Sequence, residues 1–171
     1  IVGYLADGDL AKATQYVRLA QADIDDITPS RYCENNTVNL ILSFFATKAR
    51  KKGVQFSVDA QLPQNLSISE TELCALLSNG LENAIEAAAQ VEDEKLRKVR
   101  ISCQTHKGNL LISIENIFTG QLTMENGLPQ SNREGHGFGV KSIAMIADKY
   151  NGYFSFEANG EICTLRIALP L

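Results

Sequence analysis

One stretch near the middle of the chain limits the fold more than any other. From Ser69 to about Val91, apolar residues return at helical spacing: Leu73, Leu77, Leu81, Ala84, Ile85 and Ala88 share one stripe at 100° per residue. Ser69 followed three places on by Glu72 has the form of a capping box and predicts the helix start. A stripe this regular has to lie against something apolar. The next segments supply it. Residues 99–105 and 110–115 alternate like strands and meet at Lys107-Gly108-Asn109, a hairpin signal. Residues 153–157 and 162–169 form a second, closing hairpin around Asn159-Gly160.

The remaining elements follow from the same periodicities. Residues 36–52 are predicted helical, with Val38, Ile41, Leu42, Phe45 and Ala49 on the apolar face and Gly53 as the stop. Residues 54–58 alternate like a strand, and 140–150 read as a helix ended by Asn151-Gly152. Between strand and helix, 117–138 is polar and glycine-containing with no clear period, which in a compact domain marks a functional or mobile loop. The order helix, helix, strand, helix, strand, strand, loop, helix, strand, strand argues for α+β: helices on one face of a mixed, largely antiparallel sheet. It argues against an alternating parallel sheet.

The N-terminal segment stands apart. In residues 9–27, Leu10, Ala13, Val17, Ala20, Ile24 and Ile27 follow the a/d rhythm of a bundle seam, and Thr28-Pro29-Ser30 ends the helix. An ordinary amphipathic helix packed on its own domain would show the same pattern. We therefore divide the chain into an appendage, 1–30, and a domain, 31–171, with 117–138 as a lid.

Composition narrows the function classes. The chain has 171 residues, 44% hydrophobic and 21% charged, with net charge −4. That is one soluble-type domain plus an appendage. No long basic run points to nucleic acid. The longest apolar run, around 41–46, is too short to span a bilayer. The chain begins at Ile1 with no signal segment, so it reads as a piece of something longer. Cys33, Cys74, Cys103 and Cys163 show no C-x-x-C spacing and read as buried thiols of a reducing compartment rather than a zinc site.

Two features carry chemistry. Asn79 and Asn83 lie four residues apart on the predicted 69–91 helix, on the side opposite the apolar stripe, together with Glu72 and Glu86. Mid-helix amides and the intervening Gly80 are unfavourable, about 1 kcal/mol for the glycine alone, so a return is expected. A solvated polar face is the plainer alternative. Gly135-His136-Gly137-Phe138-Gly139 opens the 140–150 helix. Alternating glycines let backbone approach phosphates, and a helix N-terminus offers N–H groups and a favourable dipole. Lys141 and Arg133 add positive charge. The loop fits neither familiar glycine motif: no strand precedes it, and Val140 separates Gly139 from Lys141. The Asn83 amide oxygen suits magnesium, which takes oxygen ligands and keeps waters and phosphates for the rest. His106 sits at a hairpin turn. His136 lies inside the glycine loop, where a phosphate-contacting or loop-ordering role and plain solvent exposure both stay open, and neither histidine looks like half of a nucleophile–base pair.

Together these residues resemble the ATP-binding (GHKL) domain that sensor histidine kinases share with gyrase and MutL. Asn79-Gly-Leu-Glu-Asn83-Ala resembles the kinase N-box, and Gly135-His-Gly-Phe-Gly139-Val a second glycine box. The nearest resemblance is to the peptide-pheromone-sensing (quorum-sensing) subgroup, through Tyr32-Cys33-Glu34-Asn35, Lys48-Ala-Arg-Lys-Lys-Gly53, Asn83-Ala-Ile-Glu-Ala87 and His136-Gly-Phe-Gly139. The resemblance implies a two-layer α/β sandwich of Bergerat type, with ATP between the N-box helix and the lid. It implies Asn83 as the Mg2+ ligand, with Asn79 assisting the phosphates or metal. Gly135, Gly137 and Gly139 would line the triphosphate. Asn116 stands where most relatives carry an Asp that accepts from the adenine amine, and of the usual Asp-x-Gly-x-Gly only Gly120 remains after it.

Position 79 separates reaction types. Hydrolysing relatives place a Glu there as the base for water. Asn79 removes no proton, which favours γ-phosphoryl transfer to a side chain. In sensor kinases that acceptor is a His on a dimeric helical hairpin, of which 1–30 would be the C-terminal part. No His precedes His106, so the acceptor is expected upstream of Ile1. A homodimer through the hairpin, a response-regulator partner and an upstream membrane sensor follow from the resemblance, with this part in the cytoplasm. Two alternatives stay open: an anti-sigma-type serine kinase of the same fold, and a non-catalytic nucleotide-binding or dimerisation module.

Overall fold

A computed structural model describes residues 31–120, 124–125, 128–129 and 138–171. The predicted 9–27 helix, and with it the 1–30 appendage, lies outside the described residues. The elements are α1 (Asn36–Lys51), β1 (Gln55–Gln61), α2 (Glu70–Ala89), a 3-10 turn (Glu94–Leu96), β2 (Lys98–His106), β3 (Asn109–Ile117), β4 (Met124–Glu125), β5 (Leu128–Pro129), α3 (Phe138–Lys149), β6 (Tyr153–Asn159) and β7 (Ile162–Pro170). The main sheet runs β1-β2-β3-β7-β6. Only β1–β2 is parallel, because α2 crosses over between them; every other pair is antiparallel. This is the expected α+β arrangement, with helices packed on one face of a mixed five-stranded sheet.

Alternation decides the faces. Along β3, Leu110, Ile112, Ile114 and Asn116 are buried while their neighbours are not. Val99, Ile101 and Cys103 of β2 and Leu165, Ile167 and Leu169 of β7 join them on the helix side. The β2–β3 turn is two residues, Lys107 and Gly108, both with positive φ (48° and 75°). That matches the primed turn a right-twisted hairpin favours.

All six stripe residues of α2 are buried, as are the five named on α1. Leu76, which lies on the polar side of the α2 wheel, is fully buried too. The reason is that α2 is the central helix, packed by α1, α3 and the sheet. A Lys48–Glu82 ion pair ties it to α1.

Three expectations change. The capping box does not form: the Ser69 side chain makes no cap bond. Instead the Ser69 N–H donates to the Tyr150 hydroxyl at 3.1 Å, and that hydroxyl donates to Glu72 at 2.6 Å. The tertiary contact captures the carboxylate that would have capped locally. Second, Gly80 is explained by packing. A Cβ there would lie 2.6 Å from Ile114 Cδ1 and 3.1 Å from Leu165 Cδ2, so glycine lets α2 sit close on β3 and β7. It lends no separate support to a ligand. Third, the stretch 117–138 contains a short β4–β5 pairing, Met124 with Pro129 and Glu125 with Leu128. Two-residue strands leave too little alternation to detect.

Candidate functional site

The site is built where α3 meets α2. Glu72 near the start of α2 bonds Lys149 and Tyr150 at the end of α3, and Asn79, two turns further, meets Gly139 at its start. The helices therefore run antiparallel, and the N-terminus of α3 points along the Asn79–Asn83 side of α2. The contact is close: a Cβ on Gly139 would lie 3.2 Å from Asn79 Oδ1. Any larger residue there would push the amide aside. The glycine at 139 and the amide at 79 are thus one local arrangement, reached from two distant motifs.

Asn79 and Asn83 are both half-buried. Among the described residues neither amide is bonded to another protein group, whereas Asn35 and Asn39 are fully engaged. Asn116 ends the helix-facing row of β3, two residues past the Ile114 that Gly80 rests on. It is buried, and its side-chain nitrogen donates to the Ile117 carbonyl at 3.0 Å. The side-chain oxygen is then the end left to accept. Gly120, at φ +89°, turns the chain just beyond β3. Lys141 is exposed in the first turn of α3. Arg133, Gly135, His136 and Gly137 lie outside the described residues, as does most of the 117–138 lid.

The structure thus brings Asn79 and Gly139 together, with Asn83 one turn along the same face and Asn116 on the sheet beneath the helix layer. A cavity of about 490 Å³ also opens near Asn116, but Gln55, Ser57, Lys98, Arg100 and Glu115 line it from the outer face of the sheet. It is not the space between α2 and α3. Among the described residues no group of three His, Cys, Asp or Glu side chains is arranged to hold a metal. A cation here would rely on neutral amide oxygen, water and the ligand's own phosphates, and Asn83 fits that donor set.

The cysteines take no part. All four are free thiols, and burial pushes Cys103 up to about 12 and Cys163 upward as well. What sequence reasoning missed is the role of Asn39. Its Oδ1 accepts from the N–H groups of Tyr32 (2.9 Å) and Cys33 (3.0 Å), and its Nδ2 donates to the Cys33 carbonyl (2.9 Å). Asn35 caps α1 by accepting from Val38 N–H and donates to the Gln64 carbonyl. The Tyr32–Asn35 motif is therefore a knot that fixes the chain at the edge of the domain. Asn39 sits on a predicted helix, where its spacing from Asn35 was the available signal.

Comparisons with known proteins agree with this geometry. A family profile described as "GHKL domain" matches residues 68–170, more than half of the chain. No curated protein matches. Among solved structures, the nucleotide-free catalytic domain of histidine kinase ThkA superposes with a TM-score of 0.62 at 20% identity, over 78% of this chain and 91% of that one. Acinetobacter baumannii histidine kinase AdeS gives 0.61 at 17%, over 78% and 62%. Full-length ShkA, solved in complex with AMPPNP, gives 0.59 at 14%, over 78% and 29%. At such identities the likeness speaks for the fold. No helix among the described residues is long and apolar enough to cross a membrane.

Proposed function

The chain belongs to the GHKL domain family, and on that premise we propose that it is the ATP-binding catalytic region of a sensor histidine kinase. The observation that carries this reading is the Asn79–Gly139 contact at the N-terminus of α3. It sets the half-buried amide of Asn79, with Asn83 one turn on, beside a helix start whose first N–H groups have no partner within the helix. A triphosphate there meets the helix dipole and amide donors. Bound Mg2+ would take the Asn83 oxygen and neutralise phosphate charge. The Asn116 oxygen would accept from the adenine amine, and Gly135, His136, Gly137, Arg133 and Lys141 would close over the phosphates.

The reaction follows from what the site lacks. Asn79 holds no removable proton and accepts none at neutral pH, so it cannot activate water. The γ-phosphoryl group would pass to a histidine nitrogen of a preceding hairpin, leaving ADP. A homodimer through that hairpin, a response regulator as the next acceptor, an upstream membrane sensor and a peptide-pheromone signal complete the proposal. The subgroup reading rests on the sequence motifs alone, Tyr32–Asn35 and His136–Gly139 among them.

The test uses labelled ATP and Mg2+ with a supplied hairpin that carries the acceptor histidine. Acid-labile label on the hairpin, and none on this chain alone, is expected. Label on this chain that disappears in His136→Ala or His106→Ala would place the acceptor elsewhere.

A further inference from the structure

We propose that Glu72, Lys149 and Tyr150 are positioning residues: they clamp the far end of α3 and thereby set where its N-terminus meets Asn79. The functional half of this rests on the nucleotide reading above. The mechanical half does not.

Three bonds make the clamp. Lys149 Nζ donates to Glu72 Oε1 at 2.6 Å, the Tyr150 hydroxyl donates to Glu72 Oε2 at 2.6 Å, and Ser69 N–H donates to the Tyr150 hydroxyl at 3.1 Å. The partners are 77, 78 and 81 residues apart in sequence. The first turn of α2 is therefore completed by the last turn of α3 rather than by its own cap. Immediately beyond, Gly152 is pinned on β7: a Cβ there would lie 2.5 Å from Leu169 Cδ2 and 2.6 Å from the Ala168 carbonyl oxygen. The end of α3 is held from two sides. At its beginning, Val140 and Ile143 are buried, and Gly139 approaches Asn79 less tightly, a Cβ there lying 3.2 Å from Asn79 Oδ1.

A helix is stiff along its axis. The 12 residues of α3 span about 18 Å at 1.5 Å per residue, so a slip at one end appears at the other. Losing the clamp lets α3 slide along α2, and the Gly139–Asn79 spacing changes with it. The N–H groups that face the phosphates then lose their aim. Stability is a poor gauge of this role. Lys149 is largely exposed, and exposed ion pairs contribute little. Position, rather than folding energy, is what the clamp controls.

Tyr150→Phe and Glu72→Gln test it, since both keep side-chain size and Tyr150→Phe keeps its ring against the core. Amide exchange in nucleotide-free protein is read first. Ser142, Ile143 and Ala144 should exchange about tenfold faster while residues 81–85 of α2 keep their rates. Nucleotide affinity is read second. ATP affinity should fall about tenfold, the worth of one weakened bond to a charged group, with adenosine affinity unchanged. Lys149→Arg should retain both properties. Unchanged exchange at 142–144, or equal losses for ATP and adenosine, would overturn the clamp. A wild-type protein that binds no ATP would sink the nucleotide reading instead, and the exchange data would still decide the clamp.

Discussion

The two ends of the α2–α3 pair both carry polar side chains, to opposite effect. At one end Glu72, Lys149, Tyr150 and the Ser69 backbone satisfy one another. At the other, Asn79 and Asn83 sit half-buried beside the start of α3 and bond to no protein group among the described residues. Polar groups inside a fold are normally paired. The closed end obeys that rule within the chain. The open end has the form of a place where the partner is brought by a ligand. The difference teaches that polarity on a helix face is not itself a sign of function; what sets the open end apart is polarity that no other described residue pairs, next to a helix N-terminus.

The largest expected effect belongs to the open end. Asn83→Ala should weaken Mg-ATP binding about 100-fold, in the range seen when a metal's support is removed, and leave metal-free ATP binding nearly unchanged. Calorimetry with Mg2+ and with a chelator makes the comparison. Equal losses in both would take Asn83 away from the metal.

Next come two glycines at close contacts of α2: Gly80 within it, facing the sheet, and Gly139 of α3, facing Asn79. Gly80→Ala forces a methyl group against Ile114 and Leu165, and should cost about 1–3 kcal/mol of stability, read as a lower denaturation midpoint. Its ATP affinity should be kept once the protein is folded. Gly139→Ala presses on Asn79 instead, and should leave the midpoint close to wild type while ATP affinity drops about tenfold. A reversal of these two patterns would break the distinction between the packing face and the ligand face.

The smallest effect is at the closed end. The hydrogen bond from Lys149, then that from Tyr150, hold the Glu72 carboxyl below its ordinary value of 4.5. A carboxylate lowered on folding adds stability above its unfolded pKa, and that stability is lost as pH falls through the folded value. Glu72→Gln should therefore be slightly less stable than wild type from about pH 5 to pH 7, with the difference shrinking as pH falls below about 4.5. Thermal melts from pH 3 to pH 7, as an approximate range, check this. A variant whose loss is largest near pH 3 and fades toward pH 7, as an approximate range, would show that Glu72 acts in some other way.

Much of this was legible in the sequence, for physical reasons. The α2 stripe, the α1 face and both hairpins follow from periods of 3.6 and 2, and all the residues named for them are where the pattern puts them. Leu76 was invisible because burial on the polar side depends on elements that pack around α2 and lie far from it in sequence. The Glu72 cap was misread for the same cause: a local motif lost its carboxylate to a tertiary partner. Gly80 looked like a concession to a ligand, yet it answers to Ile114 and Leu165 on two strands that no helical wheel contains. Of the site, Asn79, Asn83 and Gly139 were readable as motifs. Their adjacency was not, since it arises from the antiparallel packing of two helices.

Hydrogen exchange with and without a non-hydrolysable ATP analogue and Mg2+ addresses the central claim most directly. The account predicts slower exchange at α2 residues 79–86 and at the start of α3, residues 139–144, with rates at Glu72 and at Tyr150 unchanged. Protection confined to the Glu72–Tyr150 end, or spread evenly over the sheet, would contradict it.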